Sequence, residues 1–144
     1  MTQWYASADG SSTYYSVDGT PIQGTDVVIP ARPDSTYIYS NGSWVHSPAI
    51  IAAQGLQLIS TSSPSLNGVY PIDAMTQQNV GNTQIYIVVK GTFPTGRSTL
   101  NFPDVNGALH AFTIPQFVAF AEALAAYIAD LDQNIIPSNP VTIA

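Results

Sequence analysis

Only a few side chains in this sequence have the type and spacing for chemistry. Histidine is the side chain whose charge changes near neutral pH, and there are two, His46 and His110. Asp104 stands six residues before His110, and between them lies Asn106-Gly107, a turn dipeptide. A carboxylate and an imidazole on either side of a hairpin turn can approach each other. A Ser-His-Asp triad would also require a serine held against the ring. With 14 serines in the chain, some serine lies near any histidine, so proximity alone has no diagnostic weight. The Asp104–His110 pair therefore reads as a polar pin of a hairpin. Two isolated histidines without clustered carboxylates make a poor metal site. Cysteine is absent, which excludes disulfides, thiolate catalysis and cysteine metal ligation.

Other candidate chemistries fail on their residues. Gly91-Thr92-Phe93-Pro94-Thr95-Gly96-Arg97-Ser98 has the outline of a phosphate-cradling loop. It lacks the lysine after the second glycine, and Pro94 removes an amide from the cradle, so a plain turn is expected. Paired carboxylates serve glycoside hydrolysis, but Asp18, Asp73 and Asp104 each have a turn or capping role. No nucleophile elbow, His-Glu-x-x-His or EF-hand loop occurs. No catalytic, cofactor-binding or metal-ligating residue is assigned, and the chain is expected not to be an enzyme.

Charge sets a second boundary. Charged residues make up 8% of the chain, nine acids against three bases for a net charge of −6, where an average soluble domain has roughly 25%. Arg32, Lys90 and Arg97 are scattered, so they provide no basic cluster for nucleic acid or for anionic lipid. The longest apolar helical stretch, around Ala119–Ala129, is interrupted by Glu122 and is expected to be too short to span a bilayer. Met1-Thr2-Gln3-Trp4 has no signal-peptide character, which suits a protein made and folded in a cytoplasm.

Aromatic residues are the most suggestive group. Trp4, Tyr5, Tyr14, Tyr15, Tyr37, Tyr39 and Trp44 lie in the first 44 residues, whereas all five Phe follow residue 92. Phenylalanine suits a core. Tyr and Trp combine a large apolar body with a polar edge, which suits protein interfaces and sugar stacking. These seven residues are the candidate partner-binding surface.

The elements that would position them are legible in outline. Residues 1–47 read as β-rich with hairpins. Tyr14–Val17 leads into Asp18-Gly19, and Tyr37-Ile38-Tyr39 faces Trp44-Val45-His46 across Asn41-Gly42, the strongest short-range hairpin signal. Asn41-Gly42-Ser43 also matches a glycosylation acceptor, but here it reads as turn chemistry. Residues 48–55 open with Pro and close with Gly around alanines, predicting one or two helical turns as a connector. Leu56–Ser60 is a strand candidate. Asp73 can cap a helix from Ala74, although Ile85-Tyr86-Ile87-Val88-Val89 has strand propensity; helix is favoured over 74–90, with Met75, Val80 and later apolar residues sharing a face. Thr99–Phe102 and Leu109–Phe112 form a further hairpin. Thr113–Gln116 fits a capping box, and Phe117, Phe120, Ala121, Leu124, Ile128 and Leu131 share one helical face to about Asp132. Residues 56–136 thus read as an α+β C-terminal domain of a hairpin plus one or two helices, and 137–144 as a loose tail. The fold class is α+β.

Several of these segments, in order, resemble small proteins encoded with bacteriophage and prophage tail-fibre genes. The likeness runs through Asn67-Gly68-Val69-Tyr70-Pro71-Ile72-Asp73-Ala74-Met75-Thr76-Gln77, then Gly91-Thr92-Phe93-Pro94-x-Gly96, then Phe102-Pro103-Asp104-x-x-Gly107-x-x-His110-x-Phe112. It ends in Phe117-x-x-Phe120-Ala121-x-Ala123-Leu124-x-x-Tyr127. Upstream, Pro30-x-x-Pro33, Tyr37 and Asn41-Gly42-Ser43-Trp44-Val45 are similar to the segment that precedes such domains in tail-fibre assembly proteins. The resemblance covers roughly residues 28–132 and implies a non-enzymatic assembly chaperone or small virion subunit. Its implied partner is a tail-fibre or baseplate protein, its oligomeric state one matching the fibre symmetry, and its location the host cytoplasm during assembly or the virion tail. A carbohydrate-binding module for receptor recognition is the alternative drawn from the aromatic residues, and a small hydrolase a distant third.

Overall fold

The computed structural model describes residues 3–8, 12–40 and 42–144. The chain divides into two compact units, residues 1–47 and 48–144, and its architecture is α+β, with ten strands in small sheets and three helices among the described residues.

The first unit consists of five short strands. β1 (Gln3–Ala6) is central in a sheet of order β2-β1-β3, flanked by β2 (Thr13–Ser16) and β3 (Val27–Ile29), both antiparallel to it. β4 (Tyr37–Ser40) and β5 (Ser43–His46) form a hairpin with Tyr37 opposite His46 and Ser40 opposite Ser43. Gly42 has φ +82°, as the predicted turn requires, while Asn41 lies outside the described residues. The hairpin expected around Asp18-Gly19 is not formed. Asp18 makes a tight turn, its Oδ1 accepting the Thr20 amide at 2.8 Å, but β2 pairs backwards onto β1. The turn chemistry holds there, but it does not join two paired strands.

The second unit holds the main core. α1 (Pro48–Gln54) ends at Gly55, whose φ is +92° and where a Cβ would stand 2.5 Å from the Tyr70 carbonyl oxygen. Ile51 on α1 is buried with the core residues, so 48–55 is part of this unit and no mere connector. β6 (Leu56–Ser60) pairs antiparallel with β7 (Gly68–Tyr70) and parallel with β10 (Val141–Ile143). The expected loose tail is thus a sheet strand. Alternate residues Val141 and Ile143 turn inward, and Ser60 Oγ donates to the Ala144 carbonyl at 3.1 Å.

α2 (Ala74–Lys90) is a helix, as favoured. The Asp73 carboxylate accepts the Thr76 amide at 2.7 Å, and Gly91 closes the helix at φ +72°. Val80 and Ile87 are buried but Met75 is 73% exposed, so Met75 does not share their face. β8 (Thr99–Pro103) and β9 (Leu109–Thr113) form the further hairpin. α3 (Ile114–Asp132) follows directly, with Gln116 Oε1 accepting the Thr113 amide at 2.9 Å. α3 is 19 residues long and, by length and composition alone, apolar enough to cross a membrane, which corrects the expectation that it is too short. Its Phe117, Phe120, Ala121, Leu124 and Tyr127 are buried in the core, and 28% of the apolar window is buried in all. Phe112, Phe117, Phe120 and Tyr70 meet there with ring centroids 5.1–6.1 Å apart. Those spacings belong to tilted and edge-to-face packing.

Candidate partner-binding site

The seven Tyr and Trp residues of the first unit separate into two groups, because strand residues alternate between faces. In β1, Trp4 points to one side and Tyr5 to the other, and each meets its cross-strand neighbour on β2. Trp4 lies 5.4 Å from Tyr15, and Tyr5 stacks on Tyr14 at 5.4 Å.

Tyr5 and Tyr14 hold the unit together. Tyr5 is buried, and its hydroxyl donates to the Gly19 carbonyl. The Tyr14 hydroxyl donates to Asp26 Oδ2 at 2.6 Å and accepts the Ile22 amide at 2.8 Å. The two phenols thereby tether the segment between β2 and β3. Desolvation, with the Asp26 carboxylate beside it, raises the Tyr14 pKa, so it remains a neutral donor across the physiological range.

Trp4 and Tyr15 continue into the β4–β5 hairpin. Trp44 meets Trp4 edge-on at 5.3 Å, and Tyr39 meets Trp44 at 5.2 Å. Tyr15, Trp4, Trp44 and Tyr39 thus make one row of four rings. Tyr15 is half-exposed and the other three are partly exposed. Tyr37 stands apart from the row, packed against His46 with centroids 4.2 Å apart. Of the seven predicted residues, the structure therefore gathers four into the row and leaves three in internal packing.

Arg32, His46, Gln3 and Ala31 join this site without having been foreseen. Arg32 extends between Pro30 and Pro33, its Cζ 5.9 Å from the centre of the Trp44 ring. Its Nε and Nη2 donate to the Tyr37 and Ser35 carbonyls at 2.9 and 2.8 Å. The Trp44 indole N–H donates to the Pro30 carbonyl at 2.7 Å. The guanidinium donors are thus spent inside the fold, and the indole bond fixes the Trp44 ring within the row. The available signal for Arg32 was its place between two prolines and for His46 its register opposite Tyr37; both depend on how the chain folds back. Gln3, Trp4, Tyr15 and Ala31 line an open depression of about 350 Å³.

In the second unit the Asp104–His110 pair forms as expected. His110 Nε2 lies 3.0 Å from Asp104 Oδ2, and Nδ1 lies 2.7 Å from the Ser65 carbonyl oxygen. Both neighbours accept, which favours a proton on each ring nitrogen. The Asp104 hydrogen bond, then the Ser65 carbonyl, raise the His110 pKa, while that same hydrogen bond, aided by the Asn106 and Ala108 amides, lowers that of Asp104. An imidazole with both nitrogens so engaged has no lone pair for a proton or a metal. This is a structural pin, and the Val105 amide donating to the Val69 carbonyl at 2.8 Å ties the same turn to β7. The Gly91–Ser98 segment is a turn with Phe93 fully buried and the Gly96 amide donating to the Phe93 carbonyl at 2.8 Å. No group of three or more His, Cys, Asp or Glu able to hold a metal ion occurs among the described residues. Comparison with protein-family models, with characterised proteins and with solved structures found no match to this chain.

Proposed function

We propose that this chain is a non-enzymatic phage tail protein, an assembly chaperone or small virion subunit that binds a tail-fibre or baseplate component. The observation that carries the proposal is the row Tyr15–Trp4–Trp44–Tyr39, four rings 5.2–5.4 Å apart on strands, with the Trp44 indole held by the Pro30 carbonyl. Rigid Tyr and Trp clusters with few free charges are what protein interfaces concentrate at their centres. The ordered phage-like segments of the sequence supply the class of partner. Binding of the same phage's fibre or baseplate proteins by the purified chain tests it, with Tyr15→Ala expected to weaken that binding about tenfold or more, the size of a hot-spot truncation.

A second reading, a carbohydrate-binding module, is favoured by the open depression of Gln3, Trp4, Tyr15 and Ala31, since an amide beside exposed aromatic faces suits a sugar ring. Retention on a glycan array that is lost on Trp4→Ala would favour it over the first.

A further inference from the structure

The two units differ in what holds them folded. In the second, a continuous hydrophobic cluster runs from Ile51 to Ile143 and takes in Leu56, Tyr70, Phe93, Phe112 and Phe120. In the first, Tyr5, Ala6 and Ile29 are the buried hydrophobic residues among those described. Its five strands are three or four residues long, at the short end of the usual range. Of β3 only Ile29 is buried, while Val27 and Val28 are 57% and 58% exposed. Val17 and Ile22, between β2 and β3, are both 74% exposed. Much of the aliphatic surface of this unit therefore stays in water, where it adds little to stability.

Polar links do not make up the difference. The Tyr14 hydroxyl bonds to Asp26 and Ile22, the Arg32 guanidinium bonds to Tyr37 and Ser35, and the Trp44 indole bond to Pro30 all lie at exposed or partly exposed positions. Hydrogen bonds exchanged against water contribute little net stability. Units of this size are commonly stapled by disulfides or a metal. Cysteine is absent from the chain, and no cluster of metal-ligating residues occurs among those described.

We propose that residues 1–47 melt as a separate, weaker unit, which unfolds while 48–144 stays folded. That opening withdraws the Tyr15–Trp4–Trp44–Tyr39 row without loss of the rest of the molecule. Local opening of this kind belongs to the parts of a fold with the fewest buried apolar contacts. Any ligand of the row then binds only the folded fraction, and its apparent affinity is lowered by that fraction. A bound ligand in turn stabilises the unit that carries the row. The folding equilibrium of the first unit thus acts as a switch on the surface it displays. The proposal concerns that equilibrium, whatever binds there, and does not rest on the tail reading.

The composition supplies a separate probe for each unit. Both tryptophans, Trp4 and Trp44, lie in the first, and the helices α1, α2 and α3 all lie in the second. Indole fluorescence therefore reports residues 1–47, and helix ellipticity reports 48–144. Different probes give coincident transitions only when a chain unfolds as one cooperative unit. In urea unfolding of the full chain, the fluorescence transition is expected at lower urea than the ellipticity transition. Ile29→Ala truncates a buried side chain of the first unit. It is expected to move the fluorescence midpoint to lower urea, or to expose the indoles before urea is added, with the ellipticity midpoint unchanged. Phe120→Ala is expected to lower the ellipticity midpoint and leave the fluorescence midpoint in place. Coincident wild-type transitions, a fluorescence transition later than the ellipticity one, or a joint shift of both midpoints on either substitution would overturn the proposal.

Discussion

His110 has an acceptor at each ring nitrogen, Asp104 at 3.0 Å and the Ser65 carbonyl at 2.7 Å, and that arrangement has a pH signature. Its raised pKa means that its contribution to stability is full below the ordinary value of about 6.5 and is lost as pH rises through the folded-state value. The lowered pKa of Asp104 works in the other direction: its contribution is present above about pH 4 and is lost on acidification through the folded-state value. The pair therefore holds the hairpin most firmly between about pH 4 and 6.5. Thermal midpoints measured from pH 5 to 9 are expected to decline on the alkaline side in the wild type and to decline less in Asp104→Asn. Identical slopes would contradict the assignment. Tyr127 is the opposite case. Its hydroxyl is buried with no hydrogen-bond partner among the described residues, and burial raises its pKa. Tyr127→Phe removes the desolvated hydroxyl and keeps the ring, so urea unfolding is expected to show unchanged stability or a gain of about 1 kcal/mol.

At the scale of elements, the second unit depends on α3 and on the turn at Gly55. Phe120 is fully buried and touches Tyr70, Phe102, Phe112 and Phe117. Phe120→Ala is expected to cost about 3–5 kcal/mol in chemical denaturation. Gly55→Ala combines a left-handed φ with a 2.5 Å approach to the Tyr70 carbonyl and is expected to cost about 1–3 kcal/mol. Much of this was legible in the sequence, because local rules decide it. The Asp73 cap, the Asn106-Gly107 hairpin and the 3.6-residue spacing from Phe117 to Leu124 need only neighbours along the chain. Tyr127, three residues beyond Leu124, was not among the residues named for that face, yet it is buried there. The largest miss elsewhere is non-local: β10 pairs with a strand more than eighty residues earlier. The other two are local: β2 pairs with the preceding strand β1 instead of closing a hairpin at Asp18-Gly19, and Met75 lies about 120° round the helix from the buried side of Thr76, Val80 and Ile87.

For the whole molecule, the low charge has different consequences in the two units. In residues 1–47 the only base is Arg32, and its guanidinium is held by two backbone carbonyls. The aromatic character of that unit was visible in the sequence, but which rings would meet was not. β1 pairing selected Trp4 over Tyr5, and the Trp44 indole bond to Pro30 brought the β4–β5 hairpin onto it. The proposed function turns on that row, and binding measured by titration of a labelled tail-fibre or baseplate protein of the same phage tests it most directly. Wild-type protein is expected to bind, and Tyr15→Ala, which removes a half-exposed ring at the end of the row, to bind at least about tenfold more weakly with an unchanged thermal midpoint. Equal affinity for the two proteins, or no binding of any tail-fibre or baseplate component by the wild type, would contradict it.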